Sequence, residues 1–292
     1  MPDRGETRQE GSGCRPIRRV GIVLRKGSDE PGRLAGELIA WFAERGVESC
    51  VDEVRGDLDL LVILGGDGTL LHVAAEASRH SIPVVGINMG GLGFLTEVSR
   101  DEWLPALEGI LQGAVPVEHR MMLKARLVTQ DGATSWRYAL NEAVISKGRI
   151  DRLVQLGAWA GDEYITTYRA DGLIISTPTG ATAYNLSAGG PIVHPSLDSI
   201  LVTPICPFML DSRPVLLSSQ TRLTARLLAE AENVTIILDG QAAWNMRSSD
   251  TLEVRAAEKP LRLIGSPGKD YFEILRCKLN WGSSGRVRKP LA

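Results

Sequence analysis

Cysteine is scarce in this 292-residue chain, and what there is lies far apart: Cys14, Cys50, Cys206 and Cys277, with no C-x-x-C pair. That excludes a secreted disulfide framework and a cysteine-based zinc site, and it favours a reducing, cytoplasmic setting. Neither sign of charge is in surplus. With 33 Lys+Arg against 35 Asp+Glu, no global field draws the chain to nucleic acid or to an acidic membrane. Long apolar runs are missing as well. Leu60–Leu64 is far short of the ~20 residues that a membrane helix needs, and the first residues have no apolar h-region of a signal peptide. Residues 1–16 read instead as a disordered arm. The four histidines, His72, His80, His119 and His194, are not spaced as metal pairs and have no nucleophile context. No G-x-G-x-x-G opens a helix and no G-x-x-x-x-G-K-[ST] occurs, so the conventional dinucleotide fingerprint and the P-loop are both absent. There is no repeat of fixed period.

Glycine is what the chain has in excess. Its 31 glycines exceed the ordinary ~7%, and they cluster in loops where backbone can approach a ligand. The first hundred residues alternate strand and helix. Val20–Leu24, Val47–Val51, Leu60–Leu64 and Val84–Ile87 read as strands; Arg33–Arg45 and Leu70–Ser78 carry helical stripes. That order predicts a parallel sheet with crossover helices. After a helix at Asp101–Leu111 the texture changes to many short strand-like runs, among them Met122–Thr129, Arg137–Ser146, Val154–Trp159 and Leu173–Ser176. These predict a β-rich second domain.

Four strings carry possible chemistry. Gly65-Gly66-Asp67-Gly68-Thr69 follows a buried strand, so its carboxylate would project beyond the carboxyl end of the sheet, with the next helix N-terminus offered to phosphate; equally, Asp67 could cap that helix in a plain tight turn. In the run from Tyr168 to Ser187 a buried strand (Leu173–Ile175) empties into a loop with four hydroxyl residues, a proline and a glycine, which with Tyr184 suits a site that bonds a ribose and packs on a base, or a Ser/Thr turn capping a helix. Asn141-Glu142 can pair donors and acceptors with a ligand, or is merely the polar face of a strand. Asp239-Gly240-Gln241 has the form of a hairpin turn.

Taken together these strings resemble the NAD kinase family, over about Val20 to Trp281. The most specific are Asn88-Met89-Gly90-Gly91-Leu92-Gly93-Phe94-Leu95-Thr96 and the run from Asp171 to Pro195, since G-G-D-G alone is shared with lipid kinases and phosphofructokinases. The tail Asp270–Trp281 also looks like the family's last segment. The resemblance implies a Rossmann-like α/β domain over 17–100 and 266–292, to which the C-terminal segment returns, and a β-rich NAD-binding domain over 101–265, with the site in the cleft between them. It implies transfer of the γ-phosphoryl group of ATP to the 2′-hydroxyl of the adenosine ribose of NAD, giving NADP.

The resemblance makes Asp67 the general base. Gly66, Gly68, Thr69, His72, Asn88, Phe94, Asn141, Glu142 and Gln241 become substrate or nucleotide contacts. So do Arg152, Arg169 and Asp171, partly across a subunit boundary, and Thr182, Ala183, Tyr184, Asn185, Leu186 and Ser187. It further implies Mg²⁺ or another divalent cation carried by the phosphoryl donor rather than by protein side chains, and a homodimer or homotetramer, with no nucleic acid or membrane partner. Inorganic polyphosphate is an alternative donor in members with a small residue two positions before Asp171; Arg169 stands there, which points to ATP. Two departures stand out: Phe208 replaces a histidine, and Asn280 a glycine. A lipid kinase of the diacylglycerol type and a catalytically weak NAD(P)-binding protein are the competing readings. Asn141-Glu142 and the Asp171–Ser187 run oppose the first, and an intact Asp67 opposes the second.

Overall fold

The computed structural model describes residues 16–27, 29–148 and 152–281. The arm expected over 1–16 therefore lies outside the described residues apart from Pro16. The chain divides into two units, one comprising residues 1–69, 83–117 and 264 onwards, the other 70–82 and 118–263.

The first unit is α/β. Its elements are β1 (Arg19–Leu24), α1 (Glu30–Ala43), β2 (Glu48–Val51), β3 (Leu60–Gly65), the start of α2 (Asp67–His80), β4 (Pro83–Asn88), β5 (Val98–Ser99) and α3 (Trp103–Leu111). Among these strands β2 pairs with β1, β1 with β3, β3 with β4 and β4 with β5, each pair parallel, within a seven-stranded sheet that also takes in Leu261–Ile264 and Val117–Arg120. A central parallel strand is covered on both faces and so reads as an unbroken apolar run; Leu60 through Leu64 are each fully buried. Helix α1 buries Leu34, Ala35, Leu38, Trp41 and Phe42 at helical spacing, with Pro31 in its first turn, where the missing N–H costs nothing. Those side chains join Val20, Ile22, Val62, Leu64, Val85 and Ile87 in one core, each large one contributing roughly 1.5–3 kcal/mol on burial.

The C-terminal segment belongs to this unit. Its helix, residues Tyr271–Leu279, is capped by Asp270, whose carboxylate accepts from Glu273 N at 2.7 Å, and it ends on Asn280 in the left-handed region (φ 53°). Asparagine tolerates that conformation almost as well as glycine, so the second sequence departure has no structural cost.

The second unit is built on two antiparallel sheets. One has the order Val215–Ser218, Ser199–Ile205, Gly172–Ser176, Glu142–Ser146, Thr235–Leu238, Gln241–Asn245. The other runs Glu163–Ala170, Val154–Ala160, Leu223–Leu227, Thr251–Ala256, Leu123–Thr129, Gly132–Ala133, with Arg137–Ala139 also beside Leu123–Thr129. Alternate residues of both sheets, such as Leu156, Ala158, Leu252 and Val254 from one and Ala143, Ile145, Leu173 and Ile175 from the other, form its core. The strand Ser199–Ile205 has no clear trace in the sequence because Pro204 interrupts it. Pro204 falls beyond the last rung to the neighbouring edge strand, Val202–Val215, where proline is tolerated.

Candidate active site

Strand β3 ends at Gly65, and after Gly66 alone helix α2 begins with Asp67. The helix thus starts three residues earlier than its apolar stripe predicts, and the acid stands in the first turn rather than in a loop. It serves neither as the cap of its own helix nor as a free carboxylate. Oδ2 accepts from Phe94 N at 2.9 Å, while Oδ1 accepts from Leu95 N (3.1 Å), Thr96 N (3.0 Å) and Thr96 Oγ1 (2.9 Å). Asn88 extends the network. Its Nδ2 donates to Thr96 Oγ1 at 2.9 Å and its Oδ1 accepts from Gly90 N at 2.7 Å. The loop after β4 is therefore clamped on Asp67, and only glycine at 93 permits this: a Cβ there would lie 2.2 Å from Asp67 Oδ1. With roughly two acceptor positions per carboxylate oxygen, Oδ1 is saturated and Oδ2 retains one for a ligand hydroxyl. Gly66, Gly68 and Gly91 differ from Gly93, since an added Cβ would meet nothing within 4 Å.

In the second unit the strand expected over Arg137–Ser146 is broken after Ala139 and resumes at Glu142. Leu140 N, Asn141 N and Glu142 N all donate to the carboxylate of Asp239, at 2.6, 2.8 and 3.0 Å. The carbonyls of the break are taken by Thr177, whose Oγ1 donates to Leu140 O at 2.6 Å and whose N donates to Asn141 O at 2.8 Å. Asp239 and Gly240 form the two-residue connection between paired Leu238 and Gln241, with φ of 45° and 79°, as a type I′ hairpin requires. The Asp-Gly turn is real, and the aspartate has a second task that its local sequence does not reveal.

Glu142 is buried, and its Oε2 has no hydrogen-bond partner among the described residues; nor has the buried Thr179 Oγ1. Buried polar atoms are rarely left unbonded, so these two are candidates to bond a ligand. Burial first, and the Asp239 charge second, push the Glu142 carboxyl up to about 8. A carboxyl raised above its unfolded value holds its proton longer when folded, so stability falls as pH rises. The window runs from the ordinary 4.5 to about 8. The unfolding midpoint should decline between those pH values, and Glu142→Gln should flatten the decline. Equal slopes in the two proteins would take this effect away from Glu142.

The other expected residues fall into small groups. Thr182 closes a 3₁₀ turn, and Tyr184–Ser187 form a single helical turn after Ala183. Tyr184 and Ser187 are exposed, while Asn185 is fully buried. The Asn185 amide donates to Ala181 O and Pro191 O, both at 3.2 Å, and its Oδ1 accepts from Thr203 Oγ1 at 2.6 Å; it holds the loop together. Leu186 N donates to Ala183 O at 3.1 Å, and Thr69 N to Gly66 O at 2.9 Å. His72 and Gln241 meet: the amide Nε2 donates to Nδ1 at 2.7 Å. Asp171 pairs with Lys147 at 2.8 Å. Arg169 lies over the Phe208 ring at 5.3 Å and accepts Phe208 N on its carbonyl at 2.8 Å, so the replaced histidine leaves a cation–π contact in its place. Arg152 is exposed, next to residues 149–151, which are outside the description. Thr96, Thr177 and Asp239 shape this network; each lies within one of the strings above, which gave it no role of its own.

Two family models match the chain: "ATP-NAD kinase N-terminal domain" over residues 43–115 and "ATP-NAD kinase C-terminal domain" over 140–266. The chain is 45% identical over 281 residues to a NAD kinase of Geobacter metallireducens, covering 91% of this chain and 99% of that protein. It is 43% identical over 282 residues to a NAD kinase of Geobacter sulfurreducens, again covering 91% and 99%. Among solved structures it is similar to yeast NADH kinase complexed with NADH (TM-score 0.85, 26% identity, 94% of this chain and 91% of that one). An NAD kinase from Archaeoglobus fulgidus in complex with ATP shares the fold (TM-score 0.74, 23% identity, 90% and 98%).

Proposed function

The chain belongs to the NAD kinase family, and from that premise we propose that it transfers the γ-phosphoryl group of ATP to the 2′-hydroxyl of the adenosine ribose of NAD, with Asp67 as general base. The observation that carries the reading is the Asp67 carboxylate, fixed by four hydrogen bonds at the end of the central strand yet retaining one acceptor position on Oδ2. A hydroxyl donating to that position is oriented for attack and can pass its proton to the carboxylate late, as the bond to phosphorus forms. Phosphoryl transfer has a loose transition state, so holding the two oxygens in line matters more than strong basicity.

Asn141 and Glu142 contribute binding. Glu142 keeps its proton at neutral pH and so offers the adenosine portion a donor as well as an acceptor. The reading includes a divalent cation that takes its ligands mainly from donor phosphates and water. Such an ion would neutralise charge on the β- and γ-phosphates. Arg169, anchored on Phe208, favours ATP as donor over polyphosphate. The reading includes a homo-oligomer, for which the exposed Phe208, Met209 and Leu210 supply apolar surface.

The test is direct. The protein is incubated with NAD, ATP and Mg²⁺, and NADP is read through an NADP-specific dehydrogenase. Sustained NADP formation is the expected result. Tight NAD binding without any NADP would replace this reading with that of a binding protein.

A further inference from the structure

Neighbouring residues of a continuous strand point to opposite faces of the sheet, so an unbroken strand could not turn Asn141 and Glu142 to one ligand. At the break that lifts this constraint, all three N–H groups are held by one side chain. Asp239 accepts Leu140 N on Oδ2 and both Asn141 N and Glu142 N on Oδ1, and it returns its own N–H to Glu142 O at 3.1 Å. The regular ladder stops one step earlier, at Ala143 and Leu238. Beyond that rung the carboxylate replaces the partner strand.

We infer that Asp239 is a positioning residue for the dinucleotide, which holds the backbone of Leu140, Asn141 and Glu142 out of the strand so that the Asn141 amide and the Glu142 carboxyl act on one ligand. The inference rests on the NAD kinase reading above and goes further by assigning a residue that acts through the binding pair. The hairpin does not explain the aspartate, because asparagine fills the first left-handed position of an Asn-Gly or Asp-Gly turn equally well. The three backbone donors do. A carboxylate accepts on both oxygens, whereas an asparagine amide would aim an N–H at one of those donors. Asp239 is also the charged group that acts on Glu142 and raises its pKa.

The experiment compares Asp239→Asn with Asp250→Asn. Asp250 is buried, where Asp239 is half-buried, and accepts Arg247 N at 2.8 Å in a different loop of the same unit, so it controls for the loss of a backbone-capping carboxylate. Asp239→Asn is expected to raise KM for NAD about tenfold, the size of one disrupted buried hydrogen bond, with KM for ATP unchanged. Asp250→Asn should lower the unfolding midpoint by a similar amount without moving KM for NAD.

A second readout is calorimetric NAD binding against pH. Wild-type affinity should change as Glu142 ionises near pH 8, and in Asp239→Asn the change should move to lower pH. A KM for NAD within about twofold of wild type, an equal rise in Asp250→Asn, or an unmoved pH profile would each overturn the inference. Failure of the kinase reading looks different: the wild type would bind NAD and make no NADP. The NAD affinities of the two variants would then still decide the role of Asp239.

Discussion

Asp67→Asn is expected to lower kcat for NADP formation by about 10²–10⁴-fold, the usual contribution of a positioned general base, while NAD affinity changes by less than about threefold. The asymmetry follows from the bonding. Asparagine keeps an oxygen where Oδ1 accepts Leu95 N, Thr96 N and Thr96 Oγ1, so most of the clamp on the loop after β4 survives. The amide nitrogen then takes the place of Oδ2. It faces Phe94 N with a hydrogen instead of a lone pair and cannot accept a proton from the substrate hydroxyl. The repulsion at Phe94 should cost about 1–3 kcal/mol of local stability, too little to unfold the unit. Turnover and calorimetric NAD binding, measured on the same preparation, check the prediction. Turnover within about tenfold of wild type would remove Asp67 from the proton-transfer step.

Gly180→Ala is expected to be among the most damaging small substitutions in the second unit. A Cβ at this position would lie 2.3 Å from Asn141 O and 2.6 Å from Asn141 C. Both are backbone atoms, held in turn by Thr177 N and by Asp239, so no side chain can swing away to make room. Overpacking against a fixed backbone costs roughly 1–3 kcal/mol or more, equivalent to an unfolding midpoint about 2–12 °C lower for a unit of this size. The displaced group is the Asn141 peptide, so NAD affinity should fall along with stability. Differential scanning calorimetry and NAD titration check both effects. A variant with wild-type midpoint and affinity would show that the loop after Thr177 can shift by more than an ångström.

The sequence made the frame of the molecule legible wherever burial imposes a pattern on consecutive residues. Leu60–Leu64 is apolar throughout because a central parallel strand has no solvent face, and Leu34, Leu38, Trp41 and Phe42 recur at helical spacing because one side of α1 meets the sheet. The candidate site is marked in the sequence where a motif is contiguous, as in Gly65–Thr69 and Asn141-Glu142. It was not readable where the interaction spans the chain. Asp239 lies about a hundred residues from the backbone that it holds, and Thr177 reaches back 37 residues to Leu140. Neither bond leaves a local signature, because an Asp-Gly turn and a Ser/Thr-rich loop look the same whether or not their side chains serve a distant segment. The break in the strand over Arg137–Ser146 has no local signature for the same reason, since its cause lies in another strand pair. Asn185 shows another side of this: the family resemblance makes it a substrate contact, and its amide also bonds Ala181, Pro191 and Thr203, which no local pattern announces.

The open space beside Gly66, Gly68 and Gly91 has a consequence for how the gene tolerates change. Alanine would clash with nothing there, and in the helical setting of Gly68 it would favour folding by up to about 1 kcal/mol. A variant library selected only for abundance should therefore accept alanine at all three positions and reward it at Gly68. The same library selected for NADP production should reject it wherever a nucleotide needs that volume. The gap between the two scores, codon by codon, would trace the outline of the bound substrate without a co-crystal.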